Sequence, residues 1–214
     1  MRFLSYKLKY KLNLFRRYPY WDNAGVIFLH VPKAAGTSVN RALYGKTLGH
    51  YSALEVQRAF PNLFRRCFSF SLVRNPWDRA LSAYRFAKLG ATKSMGVYQP
   101  EQYHIPQFDT FERFVCEWLP SRNLTNSDFI FRPQYSFVCD RKKRIIVDHL
   151  GYVERLRETV SFVERRLGRE LDIKVENATN AGSGVYQDAY FSDEMVEIVR
   201  SVYADDVSMF GYEF

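Results

Sequence analysis

The chain is poor in the features that usually assign a function at once. It has 3 cysteines, Cys67, Cys116 and Cys139, and none forms a CxxC pair. That spacing excludes a zinc ribbon and a dense disulfide framework, and predicts three reduced, mostly buried thiols. No apolar run is long enough for a signal core or a membrane span, so a soluble, cytoplasmic chain is expected. Internal repeats, low-complexity tracts and Pro/Gly/Ser-rich linkers are absent, which argues against a solenoid or a string of tethered domains. There is no GxxxxGK[ST] loop of the triphosphatase kind. Nor is there an acidic cluster suited to a divalent cation: Asp140 and Asp148 stand apart, and Asp205–Asp206 fall on a terminal helical pattern.

What is present describes a folded, basic protein. Of 214 residues, 47% are hydrophobic and 17% aromatic, enough to bury a substantial core in one domain. Lys and Arg number 31 against 23 Asp and Glu, a formal charge of +8. This excess favours an anionic ligand: a nucleotide, an acidic polymer, a nucleic acid or a membrane surface. No nucleic-acid motif accompanies it, and aromatics interleave with basic residues only near the N-terminus, so no nucleic-acid partner is expected. That N-terminal stretch, "MRFLSYKLKYKLNLFRRYPYW", supports two readings. It is either a basic arm (residues 1–22) that touches a membrane surface or a polyanion, or a short segment that packs its aromatics on the domain. Residues 23–214 are expected to form one α/β domain.

Strand and helix patterns alternate. "VIFLHV" and "FSFSLV" are nearly continuous apolar runs typical of buried parallel strands, and "RIIVDHLGYV" predicts a third. Helices are expected over "TSVNRALYG", with Thr37 or Ser38 as cap, and over "NPWDRALSAYRFAKLG". In the latter Asn75 caps, Pro76 takes the first turn and Gly90 ends the helix. Phe111, Phe114, Val115 and Trp118 share one helical face, a charged helix follows the third strand, and a last helix begins after Ser192. Residues 91–108 show no clear period and read as a long functional loop. The alternation indicates a central, mainly parallel sheet flanked by helices.

Two strand-to-helix turns carry the chemistry. In "HVPKAAGTS" a helix N-terminus offers backbone N–H groups, Gly36 permits close backbone approach, Thr37 and Ser38 add hydroxyls, and Lys33 adds a full charge. Lys33 precedes the glycine, whereas a triphosphatase loop places its lysine after it. In "VRNPWDRALSAY", Arg74 leaves the second strand and Ser82 lies two helical turns on. An Arg fork and a hydroxyl there suit a second phosphate; alternatively, Arg74 pairs with Asp78 and staples the turn.

Together, and in this order, the two segments resemble the sulfotransferases that use 3′-phosphoadenosine 5′-phosphosulfate (PAPS), in particular the carbohydrate sulfotransferase branch. Weaker likeness runs through "FDTFERFV", "RPQYSFVCD", "GYVERL" and the C-terminal segment, nearly the whole chain. The resemblance implies a P-loop-like three-layer α/β fold and metal-free, in-line sulfuryl transfer from PAPS to a carbohydrate hydroxyl, with an acidic glycan or glycolipid suiting the charge. It implies that Lys33 contacts the phosphosulfate and steadies the leaving phosphate. Ala35, Gly36, Thr37 and Ser38 would bind the 5′-phosphate, and Arg74 and Ser82 the 3′-phosphate. "NATNAGSGVYQDAY" is expected as a lid with two glycine joints.

A base is needed to take the acceptor proton, and imidazole titrates in range. His50, in "GHYSALEVQRAF", resembles the family's base segment; the alternatives are Glu55 or Glu101, or His50 as a mere helix cap beside Ser52. His30 and His149 read as strand residues. His104, Arg132 and Gln134 are candidate substrate contacts, and Tyr98 and Tyr103 candidate sugar platforms. Two other functions compete: a nucleotide-dependent phosphotransferase with an unusual loop, and a non-catalytic binder of acidic glycans. Oligomeric state is open.

Overall fold

The computed structural model describes residues 6–91, 96–173 and 185–214. The two joints of the expected lid, Gly182 and Gly184, lie outside them. In chain order the main elements are α1 (Tyr6–Phe15), α2 (Tyr18–Ala24), β1 (Val26–Leu29), α3 (Gly36–Tyr44), α4 (Ala53–Ala59), α5 (Pro61–Arg66), β2 (Phe68–Val73) and α6 (Pro76–Leu89). Then come α7 (Phe111–Arg113), α8 (Tyr135–Val138), β3 (His149–Tyr152), α9 (Leu156–Leu167), α10 (Asp193–Val202) and α11 (Ala204–Phe210). The chain is α/β, as its alternating pattern predicts. It divides into two compact units. The first holds Met1–Val31, Ala35–Leu72 and Ser136–Glu176; the second holds Pro32–Ala34, Val73–Tyr135 and Asn177–Phe214.

The first unit contains the sheet, ordered β1-β2-β3. β1 and β2 run parallel, with Val26 opposite Phe68 and Leu29 opposite Ser71. All four β1 residues are buried, which is why the strand reads as an unbroken apolar run. The Tyr44 hydroxyl accepts from the Phe28 N–H at 2.8 Å and donates to the Val26 carbonyl at 3.1 Å, so β1 backbone groups that do not face β2 are still paired. The third strand is shorter than expected. Ile145 bridges back to Cys139, and Asp148 takes the Ser69 N–H and hydroxyl at 2.8 and 2.7 Å, leaving only His149–Tyr152 extended. The described part of the N-terminal segment forms α1 and α2, and Trp21 packs on the unit: it is buried and meets Tyr51 and Phe60 edge-on.

The second unit is built on an aromatic core of Trp77, Tyr84, Phe108, Phe114, Trp118, Phe131 and Tyr203. α6 matches its sequence signals throughout: the Asn75 side chain accepts from the Trp77 N–H, Pro76 is first, and Gly90 ends the helix at φ 76°. Three expectations shift, each for a packing reason. Residues 96–108 are not an open loop, because Tyr103 and Phe108 turn into the core. Phe111, Phe114, Val115 and Trp118 are all buried as expected, but Phe114–Trp118 form a π-helical turn in which the Leu119 N–H reaches the Phe114 carbonyl at 2.9 Å. The C-terminal helix breaks at Tyr203, whose hydroxyl donates to the Phe131 carbonyl at 2.9 Å.

Candidate functional site

The turn after β1 is strained. Lys33 and Ala35 both take left-handed conformations, at φ 66° and 54°. Non-glycine residues adopt that region rarely, and such strain concentrates where a ligand is met. Gly36, the residue that sequence logic credits with backbone freedom, has no positive φ. Its lack of a Cβ serves packing: a Cβ there would sit 2.0 Å from Cδ2 of the buried His30 ring. The helix starts two to three residues earlier than Thr37 or Ser38 as caps would allow. Its N-cap is Ala35, so no side chain caps α3 and the expected hydroxyl cap is corrected.

Within the second unit, Lys33 is half-buried, with Nζ 4.1 Å from the centroid of the Phe86 ring. Burial, together with the positive charges of Arg74 and Arg79, pulls its ammonium down to about 8. A lysine so crowded by like charge gains from any dianion brought beside it. Arg74 Nη1 donates to the Lys33 carbonyl at 3.2 Å, bringing together the two residues expected to grip opposite phosphates. Arg74 also forms the staple weighed as its alternative role: Nε and Nη2 each meet Asp78 at 2.7 Å. Those three bonds engage three of the five guanidinium N–H groups, which leaves two with capacity for an anion. Ser82 is on the buried face of α6, 5% exposed.

Two residues hold this arrangement: Arg79, which the sequence reading passed over, and Gln134, to which it gave another role. Arg79 is buried and spends its guanidinium on main-chain carbonyls: Pro32 at 3.1 Å, Ile130 at 3.1 Å and Arg132 at 2.6 Å. It ties the backbone just before Lys33 to the 130–132 segment. A second arginine one helical turn after Arg74 is the signal that marked it. Gln134, expected to touch substrate, is instead fully buried. Its amide accepts from the Arg74 N–H at 2.9 Å and donates to the Arg74 carbonyl at 2.8 Å, and its own N–H goes to Asp206 at 2.7 Å. It is a clamp on Arg74, because a buried amide must pair internally.

In the first unit, His50 Nδ1 lies 2.9 Å from the His30 carbonyl, and the two rings are 4.2 Å apart. A carbonyl only accepts, so Nδ1 carries the proton and the lone pair of the neutral ring falls on Nε2. His50 is half-buried. It does not cap α4; Ser52 does, in a capping box with Glu55. The Glu55 carboxylate is thereby committed, taking the Ser52 N–H and hydroxyl at 2.8 Å each and the Tyr10 hydroxyl at 3.0 Å. The fully buried Asn40 also escaped the sequence reading: its amide donates to the Gly36 carbonyl at 2.9 Å and accepts from the Leu48 N–H at 3.4 Å. It links the start of α3 to the segment that leads to His50.

The remaining candidates separate by burial. Tyr103 is buried in the aromatic core, which removes it as a sugar platform, whereas Tyr98, His104 and Glu101 are exposed. Arg132 is half-buried and its Nε donates to the Ser127 carbonyl at 3.0 Å. His149 stacks on Phe162 at 4.1 Å, as a strand residue would. Among the described residues, no group of three or more His, Cys, Asp or Glu side chains is arranged to hold a metal ion.

Comparison with known proteins bears on this geometry. The model of the sulfotransferase family matches residues 16–213, nearly the full chain. An uncharacterized protein of Archaeoglobus fulgidus is 28% identical over 131 residues, which cover 58% of this chain and 88% of that protein. No solved structure matches.

Proposed function

The chain belongs to the sulfotransferase family, and from that premise we propose that it moves a sulfuryl group from PAPS to a hydroxyl of a carbohydrate. One observation carries the donor assignment: Lys33, its ammonium depressed by burial and then by two neighbouring arginines, lies beside Arg74, whose guanidinium reaches the Lys33 carbonyl. Two cationic residues, each following one of two parallel strands and joined through the Lys33 carbonyl, suit a nucleotide with phosphates at two positions. The uncapped, strained start of α3 fits an oxyanion approached by main-chain N–H groups. PAPS would supply the activated sulfuryl group.

The chain's own residues then divide the work. Lys33 in its charged form offsets negative charge that grows on the leaving oxygen, an electrostatic role that strengthens in a half-buried setting. Arg74 binds through its two remaining N–H groups, held in place by Gln134 and Asp78. Ala35, Gly36, Thr37 and Ser38 supply the wall of the first turn, and Ser82 stands on the α6 face that follows Arg74. His50, with Nδ1–H fixed on the His30 carbonyl, takes the acceptor proton at Nε2. Support for a carbohydrate acceptor comes from the likeness of both motifs to that branch and from the exposed Tyr98 and His104, which offer a ring face and a polar edge.

Thermal unfolding with adenosine 3′,5′-bisphosphate, ATP–Mg²⁺ and a heparin-like polymer tests the donor site, since a ligand of the native state raises its melting temperature. The bisphosphate is expected to stabilise most; a larger shift with ATP–Mg²⁺ would turn the assignment to phosphoryl transfer. Transfer of labelled sulfate to a panel of glycans tests the acceptor. His50→Ala should lower turnover by roughly 10²–10⁴-fold while nucleotide affinity holds. Unchanged turnover would place the base elsewhere.

A further inference from the structure

α1 carries two apolar stripes where a surface helix needs one. At 3.6 residues per turn, Tyr10 and Leu14 fall on one side and Leu8, Leu12 and Phe15 on the other. The first side faces the protein: Leu14 is buried, the Tyr10 hydroxyl donates to Glu55 at 3.0 Å, and its ring lies 5.1 Å from Tyr51. The second side faces water, with Leu8 44%, Leu12 42% and Phe15 57% exposed. Packing therefore accounts for two of these five apolar side chains and leaves three outward. Phe15 also touches Phe60 edge-on at 5.1 Å, so the outward stripe is anchored to the folded unit.

Exposed cations border that stripe. Lys11 flanks it on one side and Lys9 and Arg16 on the other, all exposed. The chain has no acidic residue before Asp22, so nothing in this helix offsets their charge. An apolar strip with lysines and arginines at both margins is the pattern of a helix lying in a bilayer interface, where the strip enters the acyl boundary and the cations meet anionic headgroups. Among the described residues no helix is long and apolar enough to cross a membrane, so the contact would be peripheral.

We infer that the outward face of α1 docks the protein on an anionic phospholipid surface. A second copy of the chain fits less well, because pairing the same face would oppose like charges. A sulfated or phosphorylated polymer would use the cations and leave the three apolar side chains in water. A lipid surface satisfies both. This inference is independent of the sulfuryl donor and acceptor.

Co-sedimentation of the full chain with vesicles is the test. One set is phosphatidylcholine alone; the other is phosphatidylcholine and phosphatidylglycerol in equal parts. Binding is expected on the mixed vesicles and not on the neutral ones, weakening as salt is raised. Replacing Lys9 and Lys11 by Ala should lower partitioning by about fivefold per cation. Leu12→Glu should lower it at least about tenfold, with melting temperature unchanged because the side chain is exposed; Leu8→Ser gives a milder check should Leu12→Glu fail to fold. Absent binding, equal binding to both vesicle types, or full binding by both leucine variants would overturn the inference. So would a dimer in sedimentation velocity that Leu12→Glu dissociates, without vesicle binding. Polymer binding that depends on Lys9 and Lys11 but not on Leu12, again without vesicle binding, would assign the face to a polyanion instead.

Discussion

The two strand-to-helix turns begin alike and end differently. After β2, every local device agrees: Asn75 caps, Pro76 opens the helix, and Asp78 reaches back to Arg74. After β1, Lys33 and Ala35 sit in the left-handed region and an alanine occupies the N-cap. The second turn carries its own cap and ion pair, is clamped at the Arg74 backbone by Gln134, and spends most of its arginine internally. The first turn is held by others, by Arg79 on the Pro32 carbonyl and Asn40 on the Gly36 carbonyl. A turn that satisfies itself is a good anchor, whereas one that is propped open presents its backbone to a ligand. Under the proposed function, the contrast suits chemistry at the first turn and grip at the second.

That division is testable by substitution in each turn. Lys33→Ala should lower kcat by about 10²–10³-fold, as expected for loss of a group that acts on developing charge. Arg74→Ala should act chiefly on nucleotide affinity, with kcat at saturation far less changed. Equal losses of kcat in both variants would erase the distinction. Steady-state kinetics with varied PAPS separates the outcomes.

The depressed Lys33 gives a pH signature of smaller size. Binding of the bisphosphate requires the charged ammonium, so affinity should hold below pH 8 and fall by up to about tenfold per unit above it. The fall should disappear in Lys33→Met. The stability effect has the opposite sense. A lysine whose folded value lies below 10.5 contributes fully above that pH, and the contribution is lost as pH falls through about 8. Unfolding of the free protein should therefore show a modest gain in stability between those limits.

Gly36→Ala tests whether the first turn is propped by packing. The new Cβ meets the His30 ring, and overpacking of this kind costs about 1–3 kcal/mol. His30→Ala in the same chain should recover part of that loss, since the clash is with the ring; the carbonyl that holds His50 remains. Additive losses in the double variant would show that Gly36 is needed for its backbone. Smallest of all, Asp78→Asn should cost about 1 kcal/mol or less, because the Arg74–Asp78 pair is partly open to solvent at 18% and 26% exposure. A larger loss would mean that the second turn depends on this one ion pair.

Much of the fold was legible because its signals are local. β2 and α6 have the bounds that apolar runs, caps, Pro76 and Gly90 announce, and Ser192 caps α10 as expected, accepting from the Met195 N–H. Local signals failed where long-range packing overrode them. Tyr203 breaks the last helix because its hydroxyl has a partner at Phe131, far away in sequence. Tyr103 reads as exposed in a polar stretch, yet the aromatic core of its unit takes it in. Gln134 reads as a polar tip and is a buried clamp, because only the folded chain brings Arg74 to it.

Strand and helix patterns were enough by themselves to determine the α/β class, since they are written in consecutive residues. The two candidate phosphate turns were legible as motifs, and Lys33, Arg74 and His50 were nominated through the family those motifs resemble. Only the tertiary structure decided how those residues are held: that Gly36 makes room for an imidazole, that Arg79 and Asn40 prop the first turn, and that the His30 carbonyl sets the proton on His50. Each of these depends on atoms from separate segments meeting within hydrogen-bond or van der Waals distance. No single stretch of sequence encodes such a meeting; it arises when the core packs.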